Sequence, residues 1–144
     1  MTKNYEVNSY LIFDGRCEEA IEFYRQAIKP EQVLLARYKE MPPEAKAKAR
    51  QSGAVMDENK IMHARLRIGE SMIFLSDGHC SGKFDGFRLA LRAPGPAEAE
   101  RLFTALSAGG TVDMPVNKTF FSPAIGMLTD RFGVKWMVFV ERSS

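Results

Sequence analysis

The chain repeats itself at half its length, and that repeat limits the folds open to it more than any single motif does. The segment "EEAIEFY" (Glu18 to Tyr24) matches "AEAERLF" (Ala97 to Phe103) at an offset of 79, placing Ala20 on Ala99, Phe23 on Leu102 and Tyr24 on Phe103. Apolar residues recur three and four positions apart in both, so both are predicted amphipathic helices. A strand precedes each helix, "SYLIF" (Ser9 to Phe13) in the first half and "FRLAL" (Phe87 to Leu91) in the second. A hairpin follows each, "IMHARLRIGESMIFLSD" (Ile61 to Asp77) and "IGMLTDRFGVKWMVFVE" (Ile125 to Glu141). Gly69 falls on Gly133 at an offset of 64, and Asp77 then falls on Glu141. A further strand, "QVLLARY" (Gln32 to Tyr38) or "TVDMPVNKTF" (Thr111 to Phe120), completes each half.

The offset shortens from 79 to 64 because the first half carries extra residues between helix and hairpin, supplied by "MPPEAKAKARQSGAVM" (Met41 to Met56). Pro43 and Glu44 suit a helix start, Lys48 and Arg50 its last turn, and Gly53 its stop. With little apolar surface this insertion is expected to be a solvated helix in preference to a substrate lid. Each half therefore reads strand, helix, strand, strand, strand. One helix covers one face of each sheet, and the other face needs burial against its counterpart or around a ligand. The fold class is α+β with an internal pseudo-twofold, expected as one domain over 1–144. Module one spans about 5–78 with the insertion at about 41–56, and module two about 86–141.

With 144 residues, 45% hydrophobic and 26% charged, the chain suits one soluble core and not a disordered or membrane class. Its 20 basic residues are interspersed with 18 acidic ones, leaving no basic patch of the kind nucleic acid requires. No apolar run reaches the roughly 18 residues that span a bilayer, and "MTKNYEVNSY" lacks the apolar core of a signal peptide. A cytoplasmic location is expected, with Cys17 and Cys80 as reduced thiols.

The segments "YLIFDGRCEEAIEFY" (Tyr10 to Tyr24), "IMHARLRIGESMIFLSDG" (Ile61 to Gly78) and "KTFFSPAIGMLTDRFGVKWM" (Lys118 to Met137) together resemble the vicinal oxygen chelate superfamily of glyoxalase I, bleomycin-resistance proteins and extradiol dioxygenases, and most of all its PhnB-like branch. The resemblance covers nearly the whole chain. It implies paired βαβββ modules curling into a half-open barrel with a central cavity, commonly as dimers.

The resemblance also implies four metal-ligand positions, in the first and last strand of each module. The last-strand ligand usually stands four residues after the turn glycine, which selects Ile73 and Met137. Counting back from the helices selects Ser9 or Asn8, and Arg88 or Phe87. None is a histidine or a carboxylate, whereas a zinc, nickel or manganese site needs about three basic N, O or S ligands. The usual metal site is therefore expected to be absent.

Two histidines remain to be placed. His63 shares a strand face with Arg65 and Arg67, opposite Met62, Ala64 and Leu66. There it can bind an anion, act as a general base, or simply be hydrogen bonded on a polar sheet face. His63 and Glu141 are also the candidates for a displaced divalent ion. His79 and Cys80 in "GHCSG" match the form of a nucleophile elbow, but "KFDGFRLAL" supplies no following helix, so a linker loop is expected. Cys17 stands where the repeat puts Pro96, which marks a helix-start position and not a catalytic one.

Phe120 and Phe121, flanked by Lys118 and Ser122, either border a small-molecule pocket or form a dimer contact. The cavity-lining candidates are His63, Arg65, Lys118, Phe120, Phe121, Met137 and Glu141. The expected function is binding of a small organic ligand by a homodimer without cofactor, as bleomycin-resistance proteins sequester ligands without chemistry. The alternative is a glyoxalase-type lyase or isomerase, or a dioxygenase, holding zinc or nickel on other ligands. A purely structural dimer is a third reading.

Overall fold

Each half of the chain builds the same four-stranded sheet, with its strands in the same spatial order. The computed structural model describes residues 4–51, 57–78 and 80–142. The first half runs β1 (Ser9–Phe13), α1 (Cys17–Ile28), β2 (Glu31–Arg37), a 3-10 turn (Tyr38–Glu40), α2 (Pro43–Gln51), β3 (Ile61–Ile68) and β4 (Ser71–Asp77). The second runs β5 (Leu89–Ala93), α3 (Pro96–Ser107), β6 (Thr111–Asn117), β7 (Ile125–Thr129) and β8 (Lys135–Val140). Strand orders are β1-β4-β3-β2 and β5-β8-β7-β6, and neither sheet closes on itself. In each, the first strand pairs in parallel with the last and the remaining pairs are antiparallel. The α+β class and the paired βαβββ modules expected from the repeat are both present.

In the first sheet, Leu11, Phe13, Ala64, Leu66, Ile73 and Leu75 form the buried face, each at most 7% exposed. On α1, Cys17, Ala20, Ile21, Tyr24 and Ala27 are buried at helical spacing. The buried carboxylate of Asp77 ties helix to sheet, accepting the backbone N–H of Cys17 at 2.9 Å and that of Ile61 at 3.0 Å. One end of β4 thus satisfies an otherwise orphaned donor in the first turn of α1. The insertion helix α2 has no buried residue, as expected for a solvated element, while Gly53, its expected stop, lies outside the described residues.

In the second sheet, α3 packs on all four strands through Ala99, Leu102, Phe103 and Leu106. Gly126 on β7 permits the close approach: an added Cβ would lie 2.7 Å from the Phe103 ring. Trp136, Val138 and Val140 of β8 and Leu128 of β7 complete this core. The helix starts at Cys17 and Pro96 obey the repeat offset of 79. Several strand limits differ from expectation: β2 runs Glu31–Arg37 in place of Gln32–Tyr38, and β5 runs Leu89–Ala93 in place of Phe87–Leu91. Just before β5, the Arg88 guanidinium donates to the carbonyls of Leu128 and Trp136. β6 stops at Asn117, where residues 118–124 form a separate hydrogen-bonded turn.

The repeat register at the last strands differs from the one read by matching glycines. Ser9 pairs with Ile73 and Leu89 with Trp136, so β4 maps onto β8 at an offset of 63. Asp77 corresponds to Val140, and Glu141 lies beyond the strand. The cause is turn length. Ile68 pairs with Ser71 across a two-residue turn, whereas Thr129 pairs with Lys135 across five residues, Asp130 to Val134.

Candidate functional site

One residue of register exchanges the two faces of a strand. The corrected alignment makes Phe74 the counterpart of Met137, and moves Ile73 into the buried face at 7% exposure. Across the parallel pairs, Phe74 faces Tyr10 and Met137 faces Ala90. Tyr10 and Phe74 in the first sheet, and Ala90 and Met137 in the second, thus occupy within their own sheets the first- and last-strand positions that the resemblance assigns to metal ligands. Their chemistry does not fit a hard divalent ion: one phenol, a phenyl ring, a methyl group and a thioether supply no imidazole and no carboxylate. Nor does Arg88 fit, since it only donates, to Asp113 at 3.1 Å as well as to the two carbonyls. Among the described residues no group of three or more His, Cys, Asp or Glu is placed to hold a metal ion.

The first sheet carries a polar and aromatic cluster on the face opposite its buried one. Period-two alternation brings His63 and Arg65 of β3, Phe74 of β4 and Tyr10 of β1 to this side. The Tyr10 hydroxyl lies 3.1 Å from His63 Nδ1, and Arg65 Nε donates to His63 Nε2 at 3.1 Å. The Phe74 ring lies under all three. Its centroid is 5.3 Å from the His63 ring and 6.0 Å from that of Tyr10, both edge-on, and the Arg65 guanidinium carbon stands 4.7 Å above it. That is cation–π distance. Partial burial, and then the neighbouring Arg65 charge, hold the His63 pKa below its ordinary value. The imidazole is neutral near neutral pH, with Tyr10 46% exposed at one side.

Two of the expected site residues, His63 and Arg65, are brought together here, and Tyr10 and Phe74 join them without having been singled out from sequence. Tyr10 was hidden because "SYLIF" is apolar on both strand faces, so alternation does not separate Tyr10 and Ile12 from Leu11 and Phe13. Phe74 was hidden by the one-residue register error in β4.

The remaining candidates belong to the second sheet and its loops. Met137 is half-buried, paired across strands with Ala90 and Met127. Glu141 is exposed and pairs with Arg92 at 3.0 Å. Lys118 is exposed. Phe120 and Phe121 pack edge to face at 5.1 Å and are 85% and 52% exposed. They stand on a turn held from below by buried Ser122, whose hydroxyl lies 2.8 Å from the Ala124 carbonyl and 2.6 Å from that of Val140. Cys17 occupies the first helical position, as the repeat requires, and its thiol is fully buried. Burial first, then the nearby Asp77 and Glu18 carboxylates, push its pKa far up, so the thiolate is suppressed. His79 lies outside the described residues, and Cys80 is a partly exposed free thiol.

The sheets and their register define a glyoxalase/bleomycin-resistance type of fold. The same fold is found, at 14% identity and a TM-score of 0.65 over 95% of this chain and 97% of the other, in a glyoxylase/bleomycin resistance protein/dioxygenase domain from Frankia sp. EAN1pec. Within that class the chain belongs to the PhnB-like family described as 3-demethylubiquinone-9 3-methyltransferase, whose family model matches residues 5–139. It is 36% identical over 140 residues to Protein YjdN of Escherichia coli strain K12, covering 94% of this chain and 95% of that protein. The structure of protein PA1353 from Pseudomonas aeruginosa shares 37% identity and a TM-score of 0.81, over 96% of this chain and 98% of the other. A Bacillus cereus PhnB protein, described as a putative 3-demethylubiquinone-9 3-methyltransferase, shares the fold at 24% identity and a TM-score of 0.73, over 94% and 98%. No helix among the described residues is long and apolar enough to cross a membrane.

Proposed function

We propose that the chain is a PhnB-like protein that binds a small organic molecule on the polar-aromatic face of its first sheet, without the metal tetrad of the superfamily's enzymes. The observation that carries this reading is the Tyr10–His63–Arg65–Phe74 cluster: four side chains, mutually oriented by two hydrogen bonds and a cation–π contact, on a sheet face only partly covered. Aromatic walls with a few placed polar groups are the usual composition of small-molecule sites. The residues at the four metal-ligand positions add a second support, because their chemistry suits an organic ligand better than a divalent ion. Methyl transfer, the activity in the family's description, is not part of this proposal.

The test has two arms. A ligand-observed NMR screen of small organic compounds should yield binders that the Phe74→Ala variant loses. Metal analysis of the purified protein should find no stoichiometric zinc, nickel or manganese. Stoichiometric metal that disappears in His63→Ala would overturn the reading in favour of a metal-dependent lyase, isomerase or dioxygenase.

We infer further that two copies associate through the turn carrying Phe120 and Phe121. The supporting observation is the exposure of two adjacent rings on a turn that Ser122 and Thr119 fix by hydrogen bonds, so that hiding them by local collapse would break those bonds. Sedimentation velocity should show a dimer that the Phe120→Ser/Phe121→Ser double variant dissociates. A monomer at all concentrations would refute it.

A further inference from the structure

Arg65 fixes the tautomer of His63. An arginine Nε–H can only donate, and it lies 3.1 Å from His63 Nε2. That nitrogen must therefore carry a lone pair, which makes the ring neutral and puts its proton on Nδ1. Nδ1 in turn lies 3.1 Å from the Tyr10 oxygen, so it donates there and the phenol accepts. The phenolic O–H is then directed away from His63. Among the described residues neither the Tyr10 nor the Arg65 side chain makes a further hydrogen bond, and Arg65 makes no ion pair, whereas Arg67 on the same strand face is held by Glu31 at 3.1 Å. The unused polar hydrogens of the cluster are consequently the phenol O–H and the terminal N–H groups of the guanidinium, set over the Phe74 ring.

We propose that this donor set is the subsite for the carboxylate of a small organic acid, with Arg65 and Tyr10 contacting its oxygens and His63 acting as a positioning residue that orients both. The inference rests on the small-molecule reading above and names its ligand class. Charge balance selects a monoanion: with a neutral imidazole the cluster holds one positive charge, matching a carboxylate and leaving a phosphoryl dianion half compensated. The planar guanidinium fork suits the planar carboxylate, and such charge-assisted bonds are the stronger kind. His63 serves by accepting from one ligand-binding side chain and donating to the other. A protonated ring would set Nε2–H against Nε–H and release Arg65.

The experiment compares benzoate with its neutral isostere benzamide, titrated into the full chain and followed by chemical-shift changes at Tyr10, Arg65 and Phe74. Benzoate is expected to bind saturably and benzamide at least about tenfold more weakly. Arg65→Gln should weaken benzoate by roughly tenfold or more, and Tyr10→Phe by about fivefold, with the difference between the two compounds shrinking in each. Nitrogen-15 shifts of the His63 ring should identify Nδ1 as the protonated nitrogen, a readout independent of any ligand. Equal binding of the two compounds, benzoate affinity unchanged in both variants, or a protonated Nε2 would each overturn the carboxylate assignment while leaving small-molecule binding intact. Failure of every compound in the wider screen would instead remove the reading on which it rests.

Discussion

Asp130 accepts the indole N–H of Trp136 at 3.0 Å, with both side chains buried in the second sheet. The other carboxylate oxygen takes the backbone N–H groups of Phe132 and Val134 at 2.9 and 3.0 Å. One carboxylate thus closes the turn between β7 and β8 and aims the largest side chain of that core. Gly133, at φ +89, completes the turn in a conformation that favours glycine.

Asp130→Asn is expected to destabilise the protein by about 1–3 kcal/mol. An amide cannot accept on both sides, so it turns an N–H₂ either toward the indole N–H or toward the two backbone donors. Denaturant unfolding followed by Trp136 fluorescence checks this, since the chain has a single tryptophan. A change under about 0.5 kcal/mol would contradict the role assigned to the carboxylate.

Asp77→Ala should cost a similar amount, about 1–3 kcal/mol, by orphaning the Cys17 and Ile61 N–H groups. Hydrogen exchange should accelerate at those two amides ahead of the rest of β3. Unchanged protection at both would show that other acceptors replace the carboxylate.

Gly110→Ala is expected to cost about 2 kcal/mol or more. An added Cβ would lie 2.2 Å from the Thr129 carbonyl oxygen and 2.8 Å from the Asp130 carbonyl carbon, and backbone cannot swing aside as a side-chain end can. Thermal unfolding of the variant against the parent measures it, and an unshifted Tm would be inconsistent with so close an approach.

His63 should titrate below its ordinary value of about 6.5, because burial and the Arg65 charge oppose its protonation. The folded state then resists a proton that the unfolded chain accepts. The stability this represents is complete above about pH 6.5 and is lost as pH falls from there toward the lower folded-state value. NMR titration of the ring protons checks the direction, and Arg65→Gln should move the midpoint upward. His63→Gln should flatten the corresponding fall in Tm, and an identical fall in both proteins would mean that the group contributes nothing.

The fold was legible because the repeat is encoded in patterns that survive in one sequence: two helices of matching apolar rows, and hairpins with turn glycines. Matching Gly69 to Gly133 was less safe than matching helices, since both glycines answer a local turn and the turns differ in length. That single error put Ile73 where Phe74 belongs and linked Asp77 with Glu141. His63 and Arg65 were readable as face-mates from alternation. Their partners were not, because Tyr10 lies on another strand and only the parallel β1–β4 pairing brings it within reach.

Periodicity and the repeat therefore determined the α+β class and the helix starts at Cys17 and Pro96, since these depend on residue identity and spacing along the chain. Tertiary structure decided which atoms meet: the Arg65 donor against His63 Nε2, the phenol of Tyr10 against Nδ1, and the Asp130 carboxylate against Trp136. Those contacts follow from strand register and turn length, which shift a side chain from one face to the other by a single residue and leave almost no trace in composition.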